Sequence, residues 1–220
     1  MSSPELEKAA ERLLETVGAS GVLIIAVIAV GSVIALTILL ARMWVLRPGS
    51  VLPRALAITV RDLVLREQIP EAMTLCRTDD SPLGRVYLAG LRQAGKRRDT
   101  VKEIVQETGR HETQLLLAGL GPLDLVAVIS PLLGLFGTVW GMIDVFRTIS
   151  AHGVGDPGAL AGGIGTALYT TFAGLLVAIP ARVAHSYLLG RVDGLVLALE
   201  GRALELVDLV AAPESATPSG

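Results

Sequence analysis

Gly162, Thr166, Thr170, Gly174 and Ala178 are small or hydroxylated residues at four-residue intervals, and Arg182 stands next in the series. Thr171 adds another hydroxyl beside Thr170, and further back Thr138 stands among Gly134, Gly137 and Gly141. A hydroxyl can hold a water or coordinate a cation, but without an acid beside it it cannot relay a proton at neutral pH. Spacing alone supports two readings. In one, the small residues let helix backbones pack at close range and the threonines bond backbone carbonyls of their own or a neighbouring helix. In the other, Thr138, Thr166, Thr170 and Thr171 line an ion path.

Other chemistry is not signalled. There is no Walker loop, no HExxH helix and no nucleophile elbow, so nothing points to an enzyme, and no cofactor is expected. The lone cysteine, Cys76, excludes an internal disulfide and reads as a small buried hydrophobe. His152 and His185 show no ligand spacing, so no metal site is assigned. A net charge of -2 excludes a strong nucleic-acid footprint, because neutralising phosphates takes an excess of Lys and Arg.

The elements that must position these residues are membrane spans. Hydrophobic residues make up 51% of the 220 and charged residues 18%, and 24 glycines stand against 4% aromatics. That mixture suits transmembrane helices in close contact better than a soluble core. Val22 to Ala41 is twenty residues without a charge, the length that crosses about 30 Å of hydrocarbon as a helix. It starts too far in, behind too acidic a segment, to be a cleaved signal peptide. A second apolar block runs from Leu125 to Phe146, punctuated by Pro131 and its glycines, and a third from Leu160 to Ala181. Span one is therefore expected at the lipid periphery. The small faces of spans two and three should meet each other or neighbouring subunits; being too large to be covered within one chain, they are expected to pack between subunits.

Basic residues set the orientation. Glu5, Glu7, Glu11 and Glu15 precede span one, while Arg42, Arg47, Arg54 and Arg61 follow it, and residues 42–118 hold thirteen Lys/Arg against nine Asp/Glu. The N-terminus is then outside and the segment after span one cytoplasmic. Arg182, Arg191 and Arg202 put the C-terminus inside. The expected organisation is an external amphipathic segment (1–20, with Leu6, Ala10, Leu13, Leu14 and Val17 on one face), span one (21–42) and a cytoplasmic helical domain (43–119). Span two (120–148), an external hairpin (149–159), span three (160–182), a cytoplasmic helical extension (183–212) and a disordered tail (213–220) follow. Ser81-Pro82 and Asp156-Pro157 read as helix starts, and Thr100-x-x-Glu103 as a capping box. Apolar periodicity through Leu195, Leu199, Leu206 and Val210 extends span three into a single helix of about 75 Å that projects below the membrane. Asp124, about 21 Å below Thr138, and Asp144, about 9 Å above it, are placed at the two interfaces. Arg182 falls at the cytoplasmic exit, as a snorkelling anchor or as electrostatic control.

SPLLGLFGTVWGMIDVF (Ser130 to Phe146) and GIGTALYTTFAGLLVAIPA (Gly163 to Ala181) closely resemble the signature segments of the MotA/TolQ/ExbB proton-channel family, most of all its ExbB and TolQ branch. The resemblance is tight over residues 120–190 and loose over the three-span layout. It implies an all-α, multi-pass protein of the bacterial inner membrane, and a homopentameric ring around two copies of a single-span ExbD, TolR or MotB-like partner whose membrane aspartate carries the ion. It implies that Thr138 and Thr171 are the pore threonines, and that Pro131 and Pro180 kink their helices. Where ExbB- and TolQ-like members carry a glutamate in span three this chain has Thr166. Protons and sodium therefore both stay open as the translocated ion, the rest of the signature favouring protons. The alternative function is a non-conducting membrane scaffold of an envelope complex, with Gly134, Gly137, Gly141, Gly162 and Gly174 serving packing alone.

Overall fold

A computed structural model describes residues 3–152 and 157–212, with the side chains of 21–150, 158 and 161–212. The apolar face expected on Leu6 to Val17, the cap at Asp156 and the tail from residue 213 lie outside the described residues. The described elements are all helices: α1 Ser3–Val45, α2 Pro48–Val51, α3 Arg54–Leu65, α4 Ile69–Thr78, α5 Pro82–Leu91, α6 Arg98–Ala118, α7 Gly121–His152 and α8 Pro157–Val210. Three of them, α1, α7 and α8, contain stretches long and apolar enough to cross a membrane. In hydrocarbon every backbone polar group must be satisfied within the segment, so uninterrupted apolar sequence of this length settles as helix. Pro131 and Pro180 lie inside α7 and α8 without ending them.

The chain divides into two compact units, the first taking in residues up to Leu40 and Leu120–Ser186. It holds the three apolar stretches. Its burial pattern inverts that of a soluble domain: Leu132, Leu135, Phe136 and Val139 of α7 and Leu168, Phe172, Leu176 and Ile179 of α8 are all more than half exposed. Apart from Leu123 and Val145, the buried positions on the two helices in this unit are small, with Ala127, Ser130, Gly134, Gly137 and Gly141 on α7 and Ala167, Thr170, Gly174, Ala178 and Ala181 on α8. Among the described side chains of α1 a stripe through Ile24, Ile28 and Ala35 is buried, and Leu23, Val27, Val30 and Val33 are exposed.

The second unit comprises Ala41–Gly119 and the chain from Tyr187. Helix α3 packs on α4, α4 on α5 and α5 on α6. Their apolar faces, through Val60, Ala72, Leu83, Val86 and Val101, close on Leu199, Ala203, Leu206 and Val207 of α8. The periodicity that continues past span three is thus a core face covered by the chain's own short helices. Cys76 is buried in that core, and desolvation, then the Asp79 charge, pushes its thiol up to about 12.

Local sequence sets the ends of these helices. Ser81 caps α5 by accepting from the Gly84 amide at 3.1 Å, with Pro82 in the first turn. Gly84 is required there, since a Cβ would stand 2.9 Å from the Asp79 carbonyl oxygen. The capping box expected at Thr100 is corrected: α6 begins at Arg98, so Thr100 already lies within the first turn, where Asp99 supplies the negative charge that favours a helix N-terminus. Arg85 on α5 forks onto Glu112 on α6 with two 2.7 Å hydrogen bonds and donates a third, 2.6 Å, to the Asp80 carbonyl. Glu112 is almost wholly buried, and its hydrogen bond holds the Arg85 pKa above the ordinary value. Near the C-terminal end of the unit Arg98 pairs with Asp208, the Gly95 amide donates to the Val210 carbonyl and the Ala212 amide to that of Lys96. Gly95 makes that turn with φ +79°, a left-handed conformation open to glycine.

Candidate functional site

Of the candidate ion-path residues, Thr170 and Thr171 fall on the seam between α7 and α8, where backbone proximity dominates the geometry, while Thr138 and Thr166 bond carbonyls of their own helices. A Cβ on Gly134 would lie 2.9 Å from both the Thr170 carbonyl oxygen and the Thr171 Cα, and one on Gly174 2.5 Å from the Ser130 carbonyl oxygen. A Cβ on Gly141 would lie 3.0 Å from that of Ala167, Gly137 has no room beside the Thr170 side chain, and Gly163 has none beside Val145. Gly134, Gly137, Gly141, Gly163 and Gly174 thus have their mates within the chain, so this part of the small-residue faces does not await another subunit, while Gly162 and Gly165 have nothing within 4 Å of where a Cβ would point.

The four-residue stripe is only partly on this seam. A step of four residues turns about 400°, so the stripe drifts about 40° per step around α8. Gly162 accordingly has nothing within 4 Å of where a Cβ would point, while Thr170 is fully buried. The contact face mixes three- and four-residue steps, through Ala167, Thr170, Gly174, Ala178 and Ala181.

Each candidate hydroxyl is held by a backbone carbonyl. Thr171 donates to Gly134 O at 3.0 Å, and Thr170 lies 2.8 Å from Ala167 O and 3.3 Å from Gly134 O. Thr170 has one proton, so the shorter contact with its own helix takes most of it and Thr171 is the principal cross-helix donor. Thr138 donates to Leu135 O at 2.7 Å and Thr166 to Gly162 O at 3.0 Å. These bonds use the protons; the half-buried Thr138 and Thr171 keep lone pairs that can accept from water or coordinate a cation, and none of the four hydroxyls is a titratable acid. Thr138, Thr166 and Thr171 are half-buried.

At the other end of the seam lies a cluster that spacing did not show. Arg182 Nη1 on α8 donates to Asp124 Oδ1 on α7 at 2.5 Å, and His185 Nδ1 stands 3.6 Å from the same oxygen. Arg182 and His185 are three residues apart and share a helix face, which the sequence could have shown. Asp124 lies 58 residues away, and only the folded pairing of α7 with α8 brings it in. Asp144 is exposed. Among the described residues no group of His, Cys, Asp and Glu is arranged to hold a metal ion.

Residues 78–201 match the model of the MotA/TolQ/ExbB proton channel family. The chain is 55% identical over 73 residues to the biopolymer transport protein exbB1 of Vibrio cholerae, covering 33% of this chain and 32% of that protein. It is 32% identical over 132 residues to biopolymer transport protein ExbB of Neisseria gonorrhoeae (54% and 60%), and 35% identical over 98 residues to that of Xanthomonas campestris (44% and 39%). The chain thus spans about a third to three fifths of the length of these curated relatives.

Proposed function

The chain belongs to the MotA/TolQ/ExbB proton channel family, and from that premise we propose that it is the ion-conducting, stator-like subunit of an energy-transducing complex of the ExbB and ExbD kind. It is a multi-pass membrane protein with three apolar helices. In this reading it sits in the bacterial inner membrane with its N-terminus outside, and five copies ring two single-span partners whose membrane aspartate carries the ion. The 43–119 domain and the 183–212 extension are then cytoplasmic, and Pro131 and Pro180 shape the spans. Ion-motive force is turned into work on an envelope process such as TonB-dependent uptake, Tol-Pal function or gliding.

The observation that carries the reading is the polar core of the α7–α8 seam within the matched segment. Thr170 and Thr171 bring hydroxyl oxygens to it and Arg182 bonds Asp124 at its far end; in this reading Thr138 joins them along the ion path and Arg182 marks the cytoplasmic exit. Thr166 supplies no acid, so the partner's aspartate is the only carboxylate assigned to mid-membrane, and it cycles between protonated and ionised forms as the proton passes. Sodium coupling is the other arm, in which the threonine oxygens replace part of the ion's hydration shell.

The test is Thr138→Val and Thr171→Val in the complex with its partner. Each removes a hydroxyl at nearly constant volume, so ion-driven activity should be lost while the assembly, a pentamer by native mass spectrometry, persists. Full activity in both variants would support the scaffold reading, which the carbonyl-bonded hydroxyls favour. Collapsing the proton and sodium gradients separately assigns the ion, and with protons Thr166→Glu should be tolerated.

A further inference from the structure

Beyond the seam, the second unit has a groove of about 450 Å³ beside the last turn of α1, lined by Arg42, Trp44 and Val45 and across from them by Leu115 and Leu116 of α6. We propose that this groove binds the headgroup and upper acyl chain of an anionic phospholipid.

Charge is the first argument. Arg42 and Arg47 have no carboxylate partner among the described residues, whereas Arg85, which also lines the groove, is held by Glu112. Arg42 is half-buried, and its guanidinium lies where a side chain on Gly119 would be, so the glycine forms its seat. Arg47 stacks over the Trp44 ring at 4.5 Å, which keeps a second positive charge beside the groove. Of the acids in the lining, Glu112 is neutralised by Arg85 and Asp80 stands exposed opposite Arg42, so it is Arg47, held beside the groove on Trp44, that leaves one net positive charge for a singly negative ligand.

Position and shape argue for a lipid. Trp44 is 71% exposed in the final turn of the helix that carries the first apolar span, the level at which tryptophan anchors a membrane protein among headgroups. Leu115 is half exposed, so the groove offers an apolar wall for an acyl chain as well as cations for the phosphate.

The experiment titrates the full chain in detergent with phosphatidylglycerol or phosphatidylcholine and counts bound lipids by native mass spectrometry. Phosphatidylglycerol should bind in preference. Arg42→Gln and Arg47→Gln should each weaken it about fivefold, the factor one basic side chain contributes at an anionic lipid surface. Gly119→Ala should weaken it by displacing the Arg42 guanidinium, Asp80→Asn should strengthen it, and Arg54→Gln, outside the groove, should change nothing. Equal binding of the two lipids, or a preference that survives both arginine variants and does not rise with Asp80→Asn, would overturn the proposal. Inorganic phosphate that displaces the lipid at millimolar concentration would overturn the lipid assignment in favour of a simple anion site.

Discussion

Replacing Gly134 with alanine tests the close approach of α7 and α8 directly. The added methyl would stand 2.9 Å from the carbonyl oxygen of Thr170 and the Cα of Thr171, and both are backbone atoms of a helix that cannot swing aside as a side chain can. Ordinary contact needs a separation of about 3.5 Å, so the helices must part by roughly half an ångström or more. Overpacking of this kind costs about 1–3 kcal/mol. Parting also stretches the 3.0 Å bond from Thr171 to Gly134 O, worth about 0.6 kcal/mol between membrane helices. The better helix propensity of alanine returns up to about 1 kcal/mol, leaving a net loss of about 1–2.5 kcal/mol. At about 2–4 °C per kcal/mol for a chain of this size, the midpoint of thermal unfolding in detergent should fall by roughly 2–10 °C. Gly165→Ala is the control, because nothing lies within 4 Å of its Cβ direction. A Gly134→Ala protein as stable as the parent would refute the seam geometry.

The second unit offers three further tests. Arg85→Ala strands the buried Glu112 carboxylate and should cost about 3–5 kcal/mol, while Glu112→Ala leaves a half-exposed guanidinium that water can reach and should cost about 1–3 kcal/mol; chemical denaturation of the two variants gives the order. Gly95→Ala should cost about 1–2 kcal/mol from its φ of +79° alone, since no atom lies within 4 Å of the new methyl, and Gly109→Ala, equally open, should not. Desolvation raises the Cys76 thiol from 9.0 to about 12 and the Tyr87 hydroxyl from 10.0 to about 12, so the unfolded chain releases these protons first. Their contribution is whole below pH 9 for Cys76 and below pH 10 for Tyr87, and falls as pH rises toward 12. Melting midpoints should drop over that range, less steeply in Cys76→Ala, and maleimide should label Cys76 slowly at pH 8 until the protein unfolds.

The three apolar helices were legible because lipid leaves a chain of that length and composition no alternative to helix. The family was legible in GLFGTVWG and its partner segment, and the cap at Ser81 in a single dipeptide. These signals are local in the sequence, and for the helices and the cap local backbone hydrogen bonding decides the outcome. What only the tertiary structure decided depends on which residues far apart in the chain meet. Asp124 reaches Arg182 and His185, Arg85 reaches Glu112, and Leu199 to Val210 serve as a core face because α3 to α6 fold against them. The stripe at four-residue intervals misled for a geometric reason. Contact between long helices follows a period of 3.6, so Thr170 and Gly174 turn into the seam while Gly162 turns away from it, a division that depends on where a second helix lies.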